Sequence, residues 1–367
     1  MVKRRKSKKS FADRRMMKRR ATKKVRVGDV EIGGNAPVSV QSMTSTRTED
    51  ARFTVEQILG LQDAGCEIVR VAVPNREAAE AIGPIRKAIS IPLVADIHFD
   101  YRLALAALDQ GADKIRINPG NIGSEDHVRK VLSAAKERGI PVRIGVNGGS
   151  LEKELIQKYN GITAEALAES ALRHVRLCED AGFEDIVLSV KTSNVPLMIA
   201  ANRLLAEQTP YPIHLGVTEA GTPKKGVLRS AVGIGALLAE GIGDTIRVSL
   251  TGDPVEEVNA GFEILKTLKL RQKGLTIVSC PTCGRTQTNL VSIAEEVERR
   301  LEGVDKILTV AVMGCAVNGP GEAREADIGV ACGKGSALLF RKGETIRKLR
   351  EDEIVQTLVE EVMAWEE

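Results

Sequence analysis

Two short stretches near the C-terminal end carry the residue types best suited to redox or metal chemistry. They are Cys280-Pro281-Thr282-Cys283-Gly284 and Met313-Gly314-Cys315-Ala316-Val317-Asn318-Gly319-Pro320-Gly321-Glu322. The Cys-x-x-Cys pair can hold one metal centre from a single turn, and Cys315 must return to it through the fold. Three thiolates are one short of the four that usually hold a [4Fe–4S] cluster. One iron would then carry an exchangeable ligand, with Glu322 at hand as its resting partner. Cys-Pro-x-Cys-Gly is equally the spelling of a structural zinc knuckle. These residues by themselves leave both metals open.

A second set of residues is cationic. Strand-like runs occur at 38–43, 67–73, 93–98, 114–118, 142–147, 186–191, 213–218 and 245–250. Alternate positions in them are aliphatic, such as Val69 and Val71 or Ile144 and Val146. The intervening positions are polar and include Arg70, Asp96, His98, Arg116, Arg143, Asn147, Lys191, Arg247 and Ser249. Successive side chains leave a strand on opposite faces, so the polar set shares one face. Five cations on that face imply an anionic ligand, because a buried cation without a partner is costly. Asp96 and Glu219 are the acids expected to answer them, and they are too few. Arginine forks suit phosphate oxygens, and a diphosphate satisfies several at once. His98, Asn147 and Ser249 are expected as further polar contacts. Glu219 reads either as a general acid or as an ion-pair partner. His214 reads as a hydrogen-bonded core residue, and His127 and His174 as helix-surface residues.

The elements needed to position these groups follow from the same rhythm. Helical stretches separate the eight runs, and several stop at a glycine (Gly65, Gly111, Gly139, Gly182, Gly241) just before the next strand, as a left-handed cap requires. Eight even βα units indicate an α/β fold of the (β/α)8 TIM-barrel type rather than an open doubly wound sheet. A (β/α)8 barrel is expected over 25–270. A small α/β domain follows over 271–367, with strands leading directly into Cys280 and Cys315. Its remaining elements read as a helix at 289–301, a strand at 328–331, turns at 333–335 and 341–343, and a closing helix at 352–365.

Bulk properties narrow the classes. The chain has 367 residues, 43% hydrophobic but only 3% aromatic, so its core is aliphatic. No apolar run is long enough to span a bilayer, and no signal-peptide pattern follows the basic start. Six cysteines at uneven spacing suit a reducing cytoplasm with a metal site rather than a disulfide framework. Cys66 and Cys178 read as small core residues, and Cys332 has no evident role. Residues 1–24 are dense in Lys and Arg with Asp13 their one acid, so the net charge of +4 conceals an acidic remainder. Such a tail is expected to be disordered and solvated. Nucleic-acid binding is disfavoured because Phe11 is its one aromatic.

Gln41-Ser42-Met43-Thr44, Arg70-Val71-Ala72-Val73-Pro74, Ala95-Asp96-Ile97-His98-Phe99, Arg116-Ile117-Asn118-Pro119-Gly120 and Ile144-Gly145-Val146-Asn147-Gly148-Gly149-Ser150 resemble the barrel of the 4-hydroxy-3-methylbut-2-enyl diphosphate synthase family. The two cysteine stretches resemble its cluster domain. The match runs from about Val25 to the C-terminus in the compact bacterial form. The resemblance implies an oxidoreductase of the non-mevalonate isoprenoid pathway. It would reductively open and dehydroxylate 2-C-methyl-D-erythritol 2,4-cyclodiphosphate, with electrons from flavodoxin or ferredoxin. It implies a [4Fe–4S] cluster on Cys280, Cys283 and Cys315 with Glu322 as displaceable fourth ligand, and Asn318 as a substrate contact. It also implies a homodimer in which one subunit's cluster domain caps the other's barrel. Two other readings are a barrel transferase for a phosphorylated substrate with a zinc knuckle, similar in outline to pteroate synthases, and an RNA-binding protein using the tail.

Overall fold

Alternating aliphatic and polar residues build the first unit. The computed structural model describes residues 18–118, 120–315 and 325–366, and its contacts divide the chain into Met1–Arg271 and Gln272–Glu367. In the first unit, strands β3 (Ser39–Met43), β4 (Ile68–Ala72), β5 (Leu93–Asp96), β6 (Lys114–Ile117), β7 (Val142–Asn147) and β8 (Ile186–Lys191) pair in parallel, each with the next. β9 (His214–Leu215) and β10 (Thr245–Ile246) continue the ladder from β3 on its other side. A parallel bridge between Leu188 and Ile213 joins β8 to the start of β9 and closes the ring. The result is the expected (β/α)8 barrel, with its last two strands shorter than their sequence runs. The aliphatic set faces the helices: Val69, Val71, Ile115, Ile117, Ile144, Val146, Leu188 and Val190 are buried in one core with the helices' apolar stripes.

The helices of this unit are α1 (Ala51–Asp63), α2 (Arg76–Ala88), α3 (Tyr101–Asp109), α4 (Glu125–Glu137), α5 (Lys153–Lys158), α6 (Ala164–Asp180), α7 (Val195–Gln208), α8 (Pro223–Ala239) and α9 (Pro254–Thr267). Side chains of Asp50, Asn75, Asp100, Thr163, Asn194 and Asp253 accept from N–H groups in the first turns of α1, α2, α3, α6, α7 and α9, satisfying donors that a helix start leaves unpaired. The five glycines read as caps all take positive φ, between 65° and 92°.

Before the barrel, β1 (Val25–Val27) and β2 (Val30–Ile32) form an antiparallel hairpin. Its Val25, Val27 and Ile32 pack on the inward-facing Ile68, Val94 and Val187, so the hairpin stoppers the N-terminal mouth. Residues 18–24 are not a free tail. Arg19 pairs with Asp244 at 3.1 Å, and Arg20 donates to the carbonyls of Ala206, Thr209 and Tyr211. The folded body therefore begins before residue 25, because the Asp244 carboxylate and carbonyls at the barrel base accept these guanidinium groups. The rest of the basic tail lies outside the described residues.

The second unit is a mixed sheet in the order β11 (Thr276–Ser279), β12 (Thr309–Met313), β13 (Ile328–Gly333), β14 (Ser336–Arg341), β15 (Glu344–Arg350). The first three strands run parallel and the last two turn back as antiparallel neighbours. Apolar stripes of α10 (Leu290–Arg300) and α11 (Ile354–Met363) cover one face over Val310, Val312, Val330 and Leu339. The turns at 333–335 and 341–343 were legible, but β14 and β15 between and after them were not. Residues 341–348 are all exposed, so β15 lacks the apolar alternation by which a half-buried strand is recognised.

Candidate functional site

The polar face of the strands does point into the barrel. Arg116 and Arg143 are opposite one another in the β6–β7 ladder, and Asp96 is opposite Arg116 in β5–β6. Asp96 lies on the cation side as an anchor: Arg116 Nη1 reaches its Oδ1 at 2.9 Å, and Arg70 Nε lies 3.5 Å from Oδ2. His98 Nε2 stands 3.6 Å from the same carboxylate. Burial alone would raise the Asp96 carboxyl, but Arg70, His98, Arg116 and Arg143 outweigh it and hold the group well below the usual carboxylate range.

Deeper in the barrel the cations have no carboxylate of their own. Lys191 Nζ donates to His214 Nε2 at 3.0 Å, and Arg143 Nη1 lies 3.3 Å from His214 Nδ1. Burial and then Lys191 and Arg143 push the His214 pKa well down, so its imidazole is neutral and can accept. Arg143 Nε, Arg116 Nε and the ammonium of Lys114 find no hydrogen-bond acceptor among the described residues. Burial and like charges push Arg143, Lys191 and Lys114 well below their ordinary values, and burial takes Arg70 down to about 10. Six cations, Arg70, Lys114, Arg116, Arg143, Lys191 and Arg247, thus meet two buried carboxylates among the described residues, Asp96 and Glu257. Such a surplus of buried positive charge is able to receive an anion.

The acid that answers Arg247 differs from the expected one. Glu257 of α9 takes its guanidinium through both oxygens at 3.2 Å, and also accepts from Ser42 Oγ and Leu250 N. Glu219 forms no ion pair among the described residues. It is exposed, carries a strained φ of 53° for a non-glycine residue, and lines a cavity of about 420 Å³ with His98, Arg116, Asn118, Asn147 and Thr192. Ser249 is half-buried just beyond β10. His127 stacks on Tyr101 at 4.1 Å, and His174 pairs with Glu152 at 3.2 Å.

In the second unit, Cys280 follows β11 and Cys315 follows β12, at the same end of the parallel strands. Gly314 N donates to Cys280 Sγ at 3.0 Å. Cys283 is exposed in the turn, where the Arg285 backbone N–H and side chain lower its thiol pKa. Among the described residues no three metal-ligating side chains stand in a ready-made site. Asn318 and Glu322 lie outside the described residues. Cys66, Cys178 and Cys332 are buried, and burial raises their thiols to about 12, 12 and 11.

Comparison with known proteins agrees with both units. The GcpE TIM-barrel domain matches residues 22–262, and the GcpE protein C-terminal domain matches residues 276–364. The chain belongs to the GcpE family. A curated relative from Clostridium tetani is 59% identical over 94% of this chain and 99% of its own, and one from Geobacter sulfurreducens is 61% identical over 93% and 97%. Both are named 4-hydroxy-3-methylbut-2-en-1-yl diphosphate synthase (flavodoxin). Among solved structures, dihydropteroate synthase from Stenotrophomonas maltophilia superposes with a TM-score of 0.50 at 16% identity, covering 67% of this chain and 98% of that one. This is a likeness of barrel fold alone.

Within this GcpE barrel, four residues were not singled out from sequence. Lys114 precedes Arg116 by two and shares its face, so strand parity would have found it. Glu257 lies in the buried stripe of α9 between Pro254 and Val258, where an acid among apolar positions is a signal. Gly145 and Gly216 act by what they lack. A Cβ on Gly145 would stand 2.6 Å from Arg116 Nε, and one on Gly216 2.6 Å from Lys191 Nζ. Both glycines make room for cations, which no sequence pattern announces.

Proposed function

We propose that this chain is a 4-hydroxy-3-methylbut-2-enyl diphosphate synthase. It reductively opens 2-C-methyl-D-erythritol 2,4-cyclodiphosphate and removes its hydroxyl, drawing electrons from flavodoxin. The observation that carries the reading is the excess of buried cations over carboxylates in the barrel. A cyclic diphosphate supplies the missing negative charge, with Arg70, Arg116, Arg143, Lys191 and Arg247 as its partners. His98 and Asn147 line the adjoining cavity and orient the sugar-derived carbons, with Ser249 and Asn318 as further contacts. Glu219 is the proton donor at the mouth, without an ion pair among the described residues and in a strained backbone.

The cysteines suit a [4Fe–4S] cluster. Cys280 already accepts from a backbone N–H, and Cys283 sits where its thiolate is favoured, both features of cluster-holding thiolates. Cys280, Cys283 and Cys315 would hold the cluster, with Glu322 as the exchangeable fourth ligand. Bound there, the cluster supplies single electrons and a Lewis-acidic iron for C–O cleavage. A chain prepared anaerobically should contain about four iron and four sulfide per monomer and convert the cyclic diphosphate with dithionite as reductant. A colourless, zinc-containing protein without turnover would overturn the reading in favour of a structural knuckle. We further propose that the enzyme is a homodimer with barrel and cysteines of each site drawn from different subunits.

A further inference from the structure

Charge in the second unit is segregated. Residues 334–350 contain Lys334, Arg341, Lys342, Arg347, Lys348 and Arg350 against Glu344 alone, whereas the remainder of 272–367 holds 15 acidic side chains and six basic ones. The basic stretch is the β14–β15 hairpin with the turn before it. Part of its charge is already used. Arg341 pairs with Glu361 and lies over the Trp365 ring, and Arg350 pairs with Asp352 and Glu353. Lys334, Arg347 and Lys348 are exposed and have no ion-pair partner among the described residues.

Apolar groups are exposed beside them. Leu338, which is opposite Lys348 in the ladder, and Ile346 are 36% and 47% exposed. The β14–β15 register shifts between Leu339 and Phe340, so Ile346 has no partner across the strand and is turned outward. An apolar centre with a charged rim is the anatomy of a protein interface.

One end of the hairpin lies at the cysteine end of the sheet. β12 and β13 are parallel neighbours about 4.8 Å apart, so Lys334 beyond β13 and Cys315 beyond β12 leave the same end of the sheet. At the far edge, Thr288 in the loop after Cys283 donates to Glu351, the residue that follows β15.

We propose that this hairpin is the docking surface for an acidic one-electron carrier protein of the flavodoxin kind, a proposal that rests on the redox reading of the cysteines. Lys334 and Lys348 meet the carrier's carboxylates, and Leu338 and Ile346 meet its apolar centre; Arg347, opposite the buried Leu339, is on the other face of the strand. Opposite charge steers encounter and fixes orientation while keeping the complex short-lived, as repeated single-electron delivery requires. Charged residues on an edge strand also deter strand-to-strand aggregation. Either sign of charge serves that purpose, so charge reversal separates the two roles.

The test uses the anaerobically loaded full-length chain and the double variant K334E/K348E. Turnover is driven in parallel by reduced flavodoxin and by dithionite. Flavodoxin-driven kcat/KM should fall ~10–100-fold at low ionic strength, and the gap should narrow in high salt. Dithionite-driven turnover and the visible spectrum should not change. The single variant Lys334→Glu, in a turn, should show the same trend more weakly. Unchanged flavodoxin-driven kcat/KM would overturn the proposal and leave the charges as edge protection. Loss in both assays would also overturn it, since the hairpin would then be shaping the cysteine site. Absence of dithionite-driven turnover in the unaltered chain would instead defeat the proposed function.

Discussion

The barrel site and the cysteine site are held in different ways. Arg116, Arg143 and Lys191 project from the strands of a closed ladder and are buried. Their positions are set by backbone hydrogen bonds on both sides, before any ligand arrives. Cys280, Cys283 and Cys315 lie in turns beyond the ends of β11 and β12, and Cys283 is exposed. A site on strands is preorganised, and it carries the cost of gathering like charges. A site on turns leaves more of its geometry to be set by the bound group itself, as metal centres commonly do. On the proposed function, the binding half is built in advance and the redox half is completed by the cluster it holds.

The largest effects should come from the turns. Cys315→Ser is expected to abolish the visible cluster spectrum and turnover, while the barrel's thermal unfolding transition stays in place. Retained colour and activity would remove Cys315 from the ligand set. The same inactive chain tests whether sites are shared. Mixed under subunit exchange with an Arg143→Ala chain, and assayed at substrate levels too low for that weakened site, it should regain activity through heterodimers with one intact site. Verified exchange without activity would mean that each chain completes its own site.

A smaller effect, of opposite sign for stability and function, should mark the barrel. Arg143→Met removes one cation from a group whose cations outnumber its carboxylates. Substrate affinity should fall by about 1.5–3 kcal/mol, the loss of a charge-assisted hydrogen bond. The melting temperature of the substrate-free protein should rise, because a buried like-charge contact is relieved. A variant that loses both affinity and stability would show that Arg143 has an internal role, and the contrast between the two sites would weaken.

The smallest effect is a pH dependence. Asp96 has a folded pKa depressed below its unfolded value near 3.9. Its contribution to stability is therefore full above about pH 4. It is lost as pH falls through the folded value. Urea unfolding of the parent and of Asp96→Asn should differ most at pH 6, and the difference should shrink from pH 4 to pH 3. A constant difference over that range would mean that Asp96 stabilises by shape rather than by charge.

Much of this was legible in single elements. The eight βα units, their glycine caps and the inward parity of Arg70, Arg116, Arg143 and Lys191 are local patterns of period two or 3.6. The three cysteines and their places after strands were legible for the same reason. β15 was missed because its exposed, charged residues show no such pattern. The ordered segment at 18–24 was missed because composition suggested solvation, while its arginines found carbonyls at the barrel base.

The partners of each charge were another matter. Parity places Arg143 on the inner face of a strand but does not say that His214, 71 residues later, is its neighbour. Glu219 and Glu257 are both acids near the last strands, and Glu257 answers Arg247 because α9 packs across β3 and brings it there. Gly145 and Gly216 matter through space that appears once the ring has closed. The sequence by itself determined which residues face inward, since that depends on neighbours two positions away. The tertiary structure decided which of them meet, since closing the ring joins strands whose sequence separation carries no information about contact.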